Sequence, residues 1–292
     1  MQARDSGNNI FIITIDLEDW FHILDIESLN DYNTWDQKEN RIYDNTFRIL
    51  KFFQENNVKA TFFALGWIAK KYPDLLLEVS KFGHEIGSHS MDHLLIYNSN
   101  RDLFEKDLIN SIDTIQSVIN KKVRSFRAPG FSIKKENLWA LEIISKAGIE
   151  VDSSIFPAAR GHGGIKDFPL DHPFLLRIGE KEIREFPINV FRFGNIRIPF
   201  SGGGYFRLFP YFIIKSLAEK SPYVMSYFHP RDFDLKQPII EEMPLLRKFK
   251  TYYGLKSSFK KFMKYIKDFN FVDLSTAEKK INWNNVPIVI IK

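Results

Sequence analysis

With 292 residues, 44% of them hydrophobic, the chain can bury one large core of barrel size or two small ones. It has no cysteine, which excludes a disulfide framework and thiolate metal sites, and no run of about 18 apolar residues, which excludes a membrane-spanning helix by length. The net charge of +5 forms no stripe along the bulk of the chain, so nucleic acid is not an expected partner; the start, MQARDSGNNIFIITID, lacks the order of a secretory signal, and the expected location is cytoplasmic.

The first element is IFIITID, Ile10 to Asp16. It is a short apolar run rich in β-branched residues, which reads as a strand buried on both faces. A helical period follows from about Tyr43 to Asn56, with Phe47, Leu50 and Phe53 on one side. VKATFFAL, Val58 to Leu65, is a second strand, and a helix from about Pro73 to Phe82 stops at Gly83. HEIGSH is a short third strand running into a loop, and a long amphipathic helix covers roughly 100–120. VRSFRAP is a fourth strand cut short by Pro129. A helix over about 135–147 and a fifth strand, IEVDSS, come next. Residues 160–207 break this rhythm and read as an insertion of hairpins and loops. YVMSYFHP, Tyr223 to Pro230, and FVDLSTA, Phe271 to Ala277, are later strands.

Alternating strands and helices mean parallel strands with covering helices. About seven such units favour an α/β fold closed into a distorted (β/α) barrel. No Gly-x-Gly-x-x-Gly follows the first strand, so a dinucleotide fold loses its main support. The expected organisation is one domain over 1–292, with a core of about 10–277, the insertion at about 160–207, and a basic helical segment at about 239–268. That segment, LLRKFKTYYGLKSSFKKFMKYIKDF, reads as an amphipathic outer helix with a solvated lysine face. The alternative is peripheral contact with an anionic membrane.

In a parallel barrel the C-terminal ends of the strands share one face, where active sites form. Those ends carry Asp16, Glu18 and Asp19, then His89 and His93, then Arg127 and Pro129, then Asp152, Ser153 and Ser154, and finally His229. His89 and His93, four residues apart in HSMDH, read as two metal ligands, with a carboxylate from the first strand as the third. Two imidazoles and one carboxylate on a divalent ion leave a position for water. A water so bound becomes a nucleophile near neutral pH. A second carboxylate would act as general base, beside an arginine that keeps it ionised. His84, His162 and His172 read as ordinary core or surface histidines. His22 either lines the pocket or serves in capping or packing. SGGGYFR, Ser201 to Arg207, reads as a tight turn rather than a phosphate cradle.

The ordered motifs TID, HSMDH, RAPG, DSS and YFH resemble those of the polysaccharide deacetylases of carbohydrate esterase family 4, which share the nodulation-type chitooligosaccharide deacetylase homology domain. TIDLEDWFH with IPFSGGGYFR looks closest to the subgroup of bacterial exopolysaccharide and O-antigen synthesis. The resemblance covers roughly residues 10–277. It implies a seven-stranded distorted barrel and removal of an acyl group, usually acetyl, from the nitrogen of an amino sugar. It gives Asp16 the general-base position, His89 and His93 the metal positions, and Arg127 the base-orienting position. His229 takes the position of the general acid, and the N–H of Gly130 that of the oxyanion donor. Pro129, Asp152, Ser154 and Tyr205 are expected on the substrate and oxyanion side.

The chain departs from the family pattern at three places. Leu17 follows Asp16 where a second acid is usual, so the metal carboxylate is Glu18 or Asp19. Asp19 is preferred for the compact arm the family uses. Gly130 stands where an aromatic residue is usual. Ile155 stands where many members carry an acid that tunes the catalytic histidine. The expected cofactor is a divalent metal, zinc first, with cobalt, nickel or iron compatible with the same ligands. The expected partner is an N-acetylated glycan or its lipid- or nucleotide-linked precursor. Alternatives are a deformylase or amidohydrolase on a small nitrogenous substrate, and a carbohydrate-binding barrel without turnover.

Overall fold

The computed structural model describes residues 9–24, 26–194 and 196–291. Strands run in chain order as β1 (Ile10–Leu17), β2 (Thr61–Ala64), β3 (Glu85–Ser88), β4 (Ser125–Phe126), β5 (Val151–Asp152), β6 (Phe174–Ile178), β7 (Lys181–Glu185), β8 (Phe191–Phe193), β9 (Ile196–Ile198), β10 (Tyr223–Phe228), β11 (Phe271–Val272) and β12 (Ile288–Ile291). Seven of them lie side by side and parallel in the order β10, β1, β2, β3, β4, β5, β7. β1 sits inside this sheet and is buried from Phe11 to Leu17. That is why its sequence is a continuous apolar run rather than an alternating one.

The fold is α/β with a mostly parallel sheet, as expected from the strand and helix rhythm. Helices Ile42–Glu55, Pro73–Lys81, Arg101–Ile119 and Trp139–Lys146 cover the strands. Asn100 caps the long one by accepting from Leu103 N at 2.9 Å, and Asn120, at φ +51°, ends it.

No backbone ladder joins β7 to β10 among the described residues. Side chains bridge that gap instead. Asn189 Oδ1 accepts from Met225 N at 2.9 Å, the Tyr223 hydroxyl donates to Pro187 O at 2.7 Å, and the Ser201 hydroxyl donates to Met225 O at 2.8 Å. The barrel is distorted because this seam is held by side chains of the segment read as an insertion.

That segment differs from its expectation. Residues 160–207 do contain two hairpins, β6–β7 and β8–β9, but β7 is a barrel strand in its own right. Phe168, Phe174 and Phe206 are core residues. FVDLSTA is a strand only over Phe271–Val272. Asp273 then accepts from Thr276 N at 2.7 Å and starts helix Leu274–Lys280, because an N-capping carboxylate outweighs the β-branched run.

The basic segment forms two helices, Leu245–Tyr252 and Leu255–Asp268, broken at Gly254 with φ +77°. The second buries Phe262, Tyr265 and Ile266 and turns lysines outward, as expected. The first does the reverse and buries no residue. Among the described residues no helix is long and apolar enough to cross a membrane.

Candidate active site

Asp16 stands at the end of β1, where the strand leaves the sheet. Its Oδ1 accepts from Arg127 Nη1 at 2.7 Å. The Arg127 guanidinium has no exposed surface, and Nη1 also donates to Thr14 Oγ1 at 2.7 Å. Nε donates to Ser153 O at 3.2 Å and Nη2 to Ser153 Oγ at 2.9 Å. The Phe63 ring lies beneath it, 4.3 Å from the guanidinium carbon. A charge this deep persists only when paired and hydrogen-bonded in full. The network therefore fixes one rotamer of Arg127 and, through it, the orientation of Asp16.

His89 and His93 come from the loop after β3. Ser90 and His93 take left-handed backbone, at φ +72° and +57°, which turns the loop back on itself. Other parts of the chain hold it there. Ser90 O accepts from Gly66 N and from the Ser111 hydroxyl, each at 2.9 Å, and the Asp107 carboxylate accepts from Met91 N at 2.9 Å. His89 Nδ1 lies 2.7 Å from Arg127 O, a carbonyl that can only accept. Nδ1 thus carries a proton, and Nε2 is the nitrogen left facing the site.

Glu18 lies between the two imidazoles. Its Oε1 is 3.1 Å from His89 Nε2 and 3.0 Å from His93 Nε2. His93 Nε2 is buried yet makes no hydrogen bond of acceptable geometry. Burial alone would raise the Glu18 carboxyl, but His93 and His229 nearby and the hydrogen bond from His89 outweigh it and hold it well below the usual range. Two imidazole nitrogens and a carboxylate oxygen converge on one buried point. This donor set, with one nitrogen left unsatisfied, fits a divalent cation such as zinc.

Asp19, preferred on sequence, is not in this group. Its Oδ1 accepts from Trp20 N at 2.7 Å and its Oδ2 from Arg41 N at 2.9 Å and Ile42 N at 3.0 Å. The chain turns sharply after Glu18 into the single turn Trp20–His22, so the compact acid becomes a cap and the longer one reaches the imidazoles. Burial pushes the Asp19 carboxyl up to about 6, against the pull of these three amides. His22 belongs to the same turn. Its Nδ1 accepts from Asp19 N at 2.8 Å, and its ring packs among Phe21, Trp35 and Trp67. It has both the capping and the packing role, with His93 6.4 Å away between ring centres.

His229 follows β10 and completes the group. Its Nε2 lies 3.9 Å from Asp16 Oδ2 and 3.7 Å from Glu18 Oε1. Its Nδ1 is 2.9 Å from Asp232 Oδ2, which also accepts from His229 N at 2.9 Å. Asp232 supplies the partner that Ile155 cannot. It is held in turn by Arg207 Nη1, whose other nitrogens donate to Tyr253 O, Lys250 O and Thr251 O. SGGGYFR is not the tight turn expected: only the positive φ of Gly203, +51°, is found, and the stretch opens helix Gly203–Leu208, with Gly202 and Gly203 packed on Tyr227, which delivers Arg207. Burial pulls the His229 imidazole below the ordinary histidine range. Glu18 opposes this, Arg231 adds to it and Asp16 opposes, and the Asp232 carboxylate on Nδ1 also favours the protonated ring.

Gly130 has φ +59°, and a Cβ there would stand 2.8 Å from Leu24 Cδ1. That explains why the usual aromatic residue is missing. The ring appears one position later. Phe131 lies 5.2 Å from the Arg127 guanidinium and 5.0 Å from the Tyr227 ring. Arg160 stacks on Phe131, Phe156 and Tyr227, which brings the start of the 160–207 segment to the His229 side. Tyr205 is half-buried and within electrostatic range of Tyr227.

Asp152 and Ser154, expected to face substrate, have no exposed surface. The Ser154 hydroxyl donates to Asp152 Oδ1 at 2.7 Å and accepts from Ala128 N at 2.9 Å. They brace the turn that carries Pro129 and Gly130 from behind. Next to Asp152, burial drives the Glu185 carboxyl well above its usual range, with the Asp152 charge adding to it. His84 is buried between Phe53 and Phe62, away from this group, and His172 pairs with Asp171.

Glu185, Thr14, Asp232 and the role of Arg207 were not singled out from sequence. Asp232 left one sign, an acid three residues after His229. Thr14 left another, since it shares a strand face with Asp16.

Residues 32–151 match the polysaccharide deacetylase family, and residues 153–279 match a domain of unknown function, DUF3473. The chain is 32% identical over 98 residues to a peptidoglycan-N-acetylglucosamine deacetylase of Bacillus cereus, covering 33% of this chain and 36% of that protein. It is 31% identical over 99 residues to a chitooligosaccharide deacetylase of Sinorhizobium fredii, covering 34% and 45%. Each alignment thus spans less than half of the curated relative. Among solved structures, a candidate polysaccharide deacetylase from Mycobacterium smegmatis superposes with a TM-score of 0.68 at 16% identity, over 100% of this chain and 96% of that one. A mutant of a CE4-family pseudoenzyme from Bacillus anthracis, with restored activity, gives 0.50 at 15% identity, over 97% and 70%. These two likenesses carry the fold alone. The motifs, the matched region holding His89, His93 and Arg127, and the fold agree: residues 32–151 of this chain match the polysaccharide deacetylase family, and the segment matching DUF3473 brings His229, Asp232 and Arg207 to the same face.

Proposed function

We propose that the protein is a metal-dependent N-deacetylase of amino sugars in a polysaccharide or its precursor. The observation that carries the reading is the meeting of Glu18, His89 and His93 with the Asp16–Arg127 pair and His229 on one buried face. Glu18, His89 and His93 would hold the ion. A divalent ion there supplies Lewis acidity toward water and the acyl oxygen.

The residues of the chain do the rest. Asp16, oriented by Arg127, accepts a proton from the attacking water. The water oxygen bonds to the acyl carbon, and the Gly130 N–H donates to the oxygen that gains charge. His229 delivers a proton from Nε2 to the sugar nitrogen. The carbon–nitrogen bond breaks, and acetate and a free amine leave. Asp232 keeps Nδ1 engaged, so that Nε2 is the nitrogen facing the substrate. Arg160, half-buried and backed by the buried rings of Phe131 and Tyr227, would form a wall on the His229 side for the sugar chain. The relatives named for peptidoglycan and chitooligosaccharide deacetylation support the choice of an N-acetylated glycan.

The test is acetate release from a panel of N-acetylated glycans and amino-sugar precursors, before and after chelation and after zinc is returned. Release that chelation abolishes and zinc restores is the expected result. No release from any of them by zinc-loaded protein would leave a binding barrel without turnover.

A further inference from the structure

Helix Leu245–Tyr252 is built inside out. Its half-buried side carries Arg247, Lys248, Thr251 and Tyr252, while Leu245, Leu246 and Phe249 face solvent. Leu245 is 84% exposed, Leu246 68% and Phe249 50%, and Tyr253, just past the end, is 47% exposed. Spacings of one, four and eight residues put these four side chains on one stripe. Phe249 and Tyr253 pack on each other, with ring centres 4.7 Å apart. A surface helix ordinarily turns such a stripe inward.

Polar anchors hold the helix in this orientation. Arg247 donates to Leu24 O. The Tyr252 hydroxyl donates to Pro238 O at 2.9 Å and accepts from Ile240 N at 2.8 Å. Arg207 takes the carbonyls of Lys250, Thr251 and Tyr253. The loop that Tyr252 tethers exposes Leu235 and Ile239 as well, at 61% and 62%. Six large apolar side chains are thus presented outward by a scaffold tied down through hydrogen bonds. Clustered exposure of this kind marks a contact surface.

Charge identifies the occupant. Residues 241–268 hold eight Lys or Arg against three Asp or Glu, which is the entire net +5 of the chain. Lys250 on this helix and Lys256 and Lys260 on the next are exposed. A second copy of the chain would bring like charges together across the contact. An anionic membrane accepts both features at once, with apolar side chains at the acyl boundary and lysines among the headgroups. We infer that the Leu245–Tyr253 face docks the protein on anionic membrane surfaces.

This surface is continuous with the catalytic face. Arg207 joins the helix end to Asp232, and Arg247 holds the carbonyl of Leu24, whose side chain flanks Gly130. The inference does not depend on the deacetylase reading, because vesicle binding is measured without turnover.

The experiment is co-sedimentation of the full chain with vesicles of phosphatidylcholine mixed equally with phosphatidylglycerol, and of phosphatidylcholine alone, at low and high salt. The wild type is expected to sediment with the anionic vesicles, less so at high salt, and not with the neutral ones. The triple variant Leu245→Ser, Leu246→Ser, Phe249→Ser should lose at least about tenfold in partitioning and keep its circular dichroism and zinc binding. Lys250→Glu with Lys256→Glu should weaken binding while leaving the apolar stripe intact. Three results would overturn the inference: no sedimentation of the wild type, equal partitioning to neutral vesicles, or full binding by both variants. A wild-type dimer that the triple variant splits into monomers would also overturn it, in favour of a self-interface.

Discussion

Asp19→Ala and Glu18→Gln exchange adjacent acids, and each is expected to fail in its own way. Asp19 accepts from three backbone N–H groups. Ile42 N also has Asn40 Oδ1 at 3.1 Å, so the alanine strands two donors, those of Trp20 and Arg41. At roughly 1–3 kcal/mol for each unsatisfied donor, the loss is about 2–6 kcal/mol, a large share of the roughly 5–15 kcal/mol that holds a typical domain. Glu18→Gln removes a charge from between two imidazoles and keeps the volume. The metal-free protein should then lose less stability than Asp19→Ala, since no backbone donor is stranded, while zinc affinity falls about 100-fold or more, since even an outer partner of a ligand is worth about 10–100-fold. Denaturant unfolding of metal-free protein, followed by tryptophan fluorescence, gives the first quantity. Competition for zinc with a chromophoric chelator gives the second. If Asp19→Ala kept wild-type stability and lost zinc while Glu18→Gln bound it normally, the assignment of the two acids would be reversed.

Asp16→Asn should retain zinc and lose about 10²–10⁴-fold in turnover, the range for a missing general base; full activity would move that role to another group. Asp232→Asn should slow amide hydrolysis far more than hydrolysis of an aryl acetate, whose leaving group needs no proton, and Asp232→Glu should recover part of the loss. Equal losses on both substrates would reduce Asp232 to a structural part. His84 is buried and its pKa falls from 6.5 to about 4, chiefly through burial, with Lys59 adding to it. Between these values the unfolded chain takes up a proton that the folded one refuses. Stability is therefore full above pH 6.5 and falls as pH drops toward 4, by up to about 3 kcal/mol at 1.36 kcal/mol per pKa unit. His84→Asn should flatten that slope in denaturant midpoints measured across the window; an unchanged slope would place the titration elsewhere.

Local pattern alone determined much of this protein. The continuous apolar run of β1, the helical periods and the glycine stops predict parallel strands covered by helices. Strand ends then gather Asp16, His89, His93, Arg127 and His229 on one face, because the C-terminal ends of parallel strands all lie at the same end of the sheet. The tertiary structure decided what depends on distance across the chain. Sequence keeps both Glu18 and Asp19 open and leans to Asp19 for its compact arm. The choice fell to Glu18 because Arg41 and Ile42, more than twenty residues on, present their amides to Asp19. The partner of His229 moved from position 155 to Asp232 because Arg207, from another segment, holds that acid in place. β7 became a barrel strand through its pairing with β5, which no local period reveals. Helix Leu245–Tyr252 has the periodicity of an ordinary amphipathic helix. Periodicity fixes that such a helix has two faces, and only the long-range anchors Leu24, Pro238 and Arg207 decide which of them meets the protein.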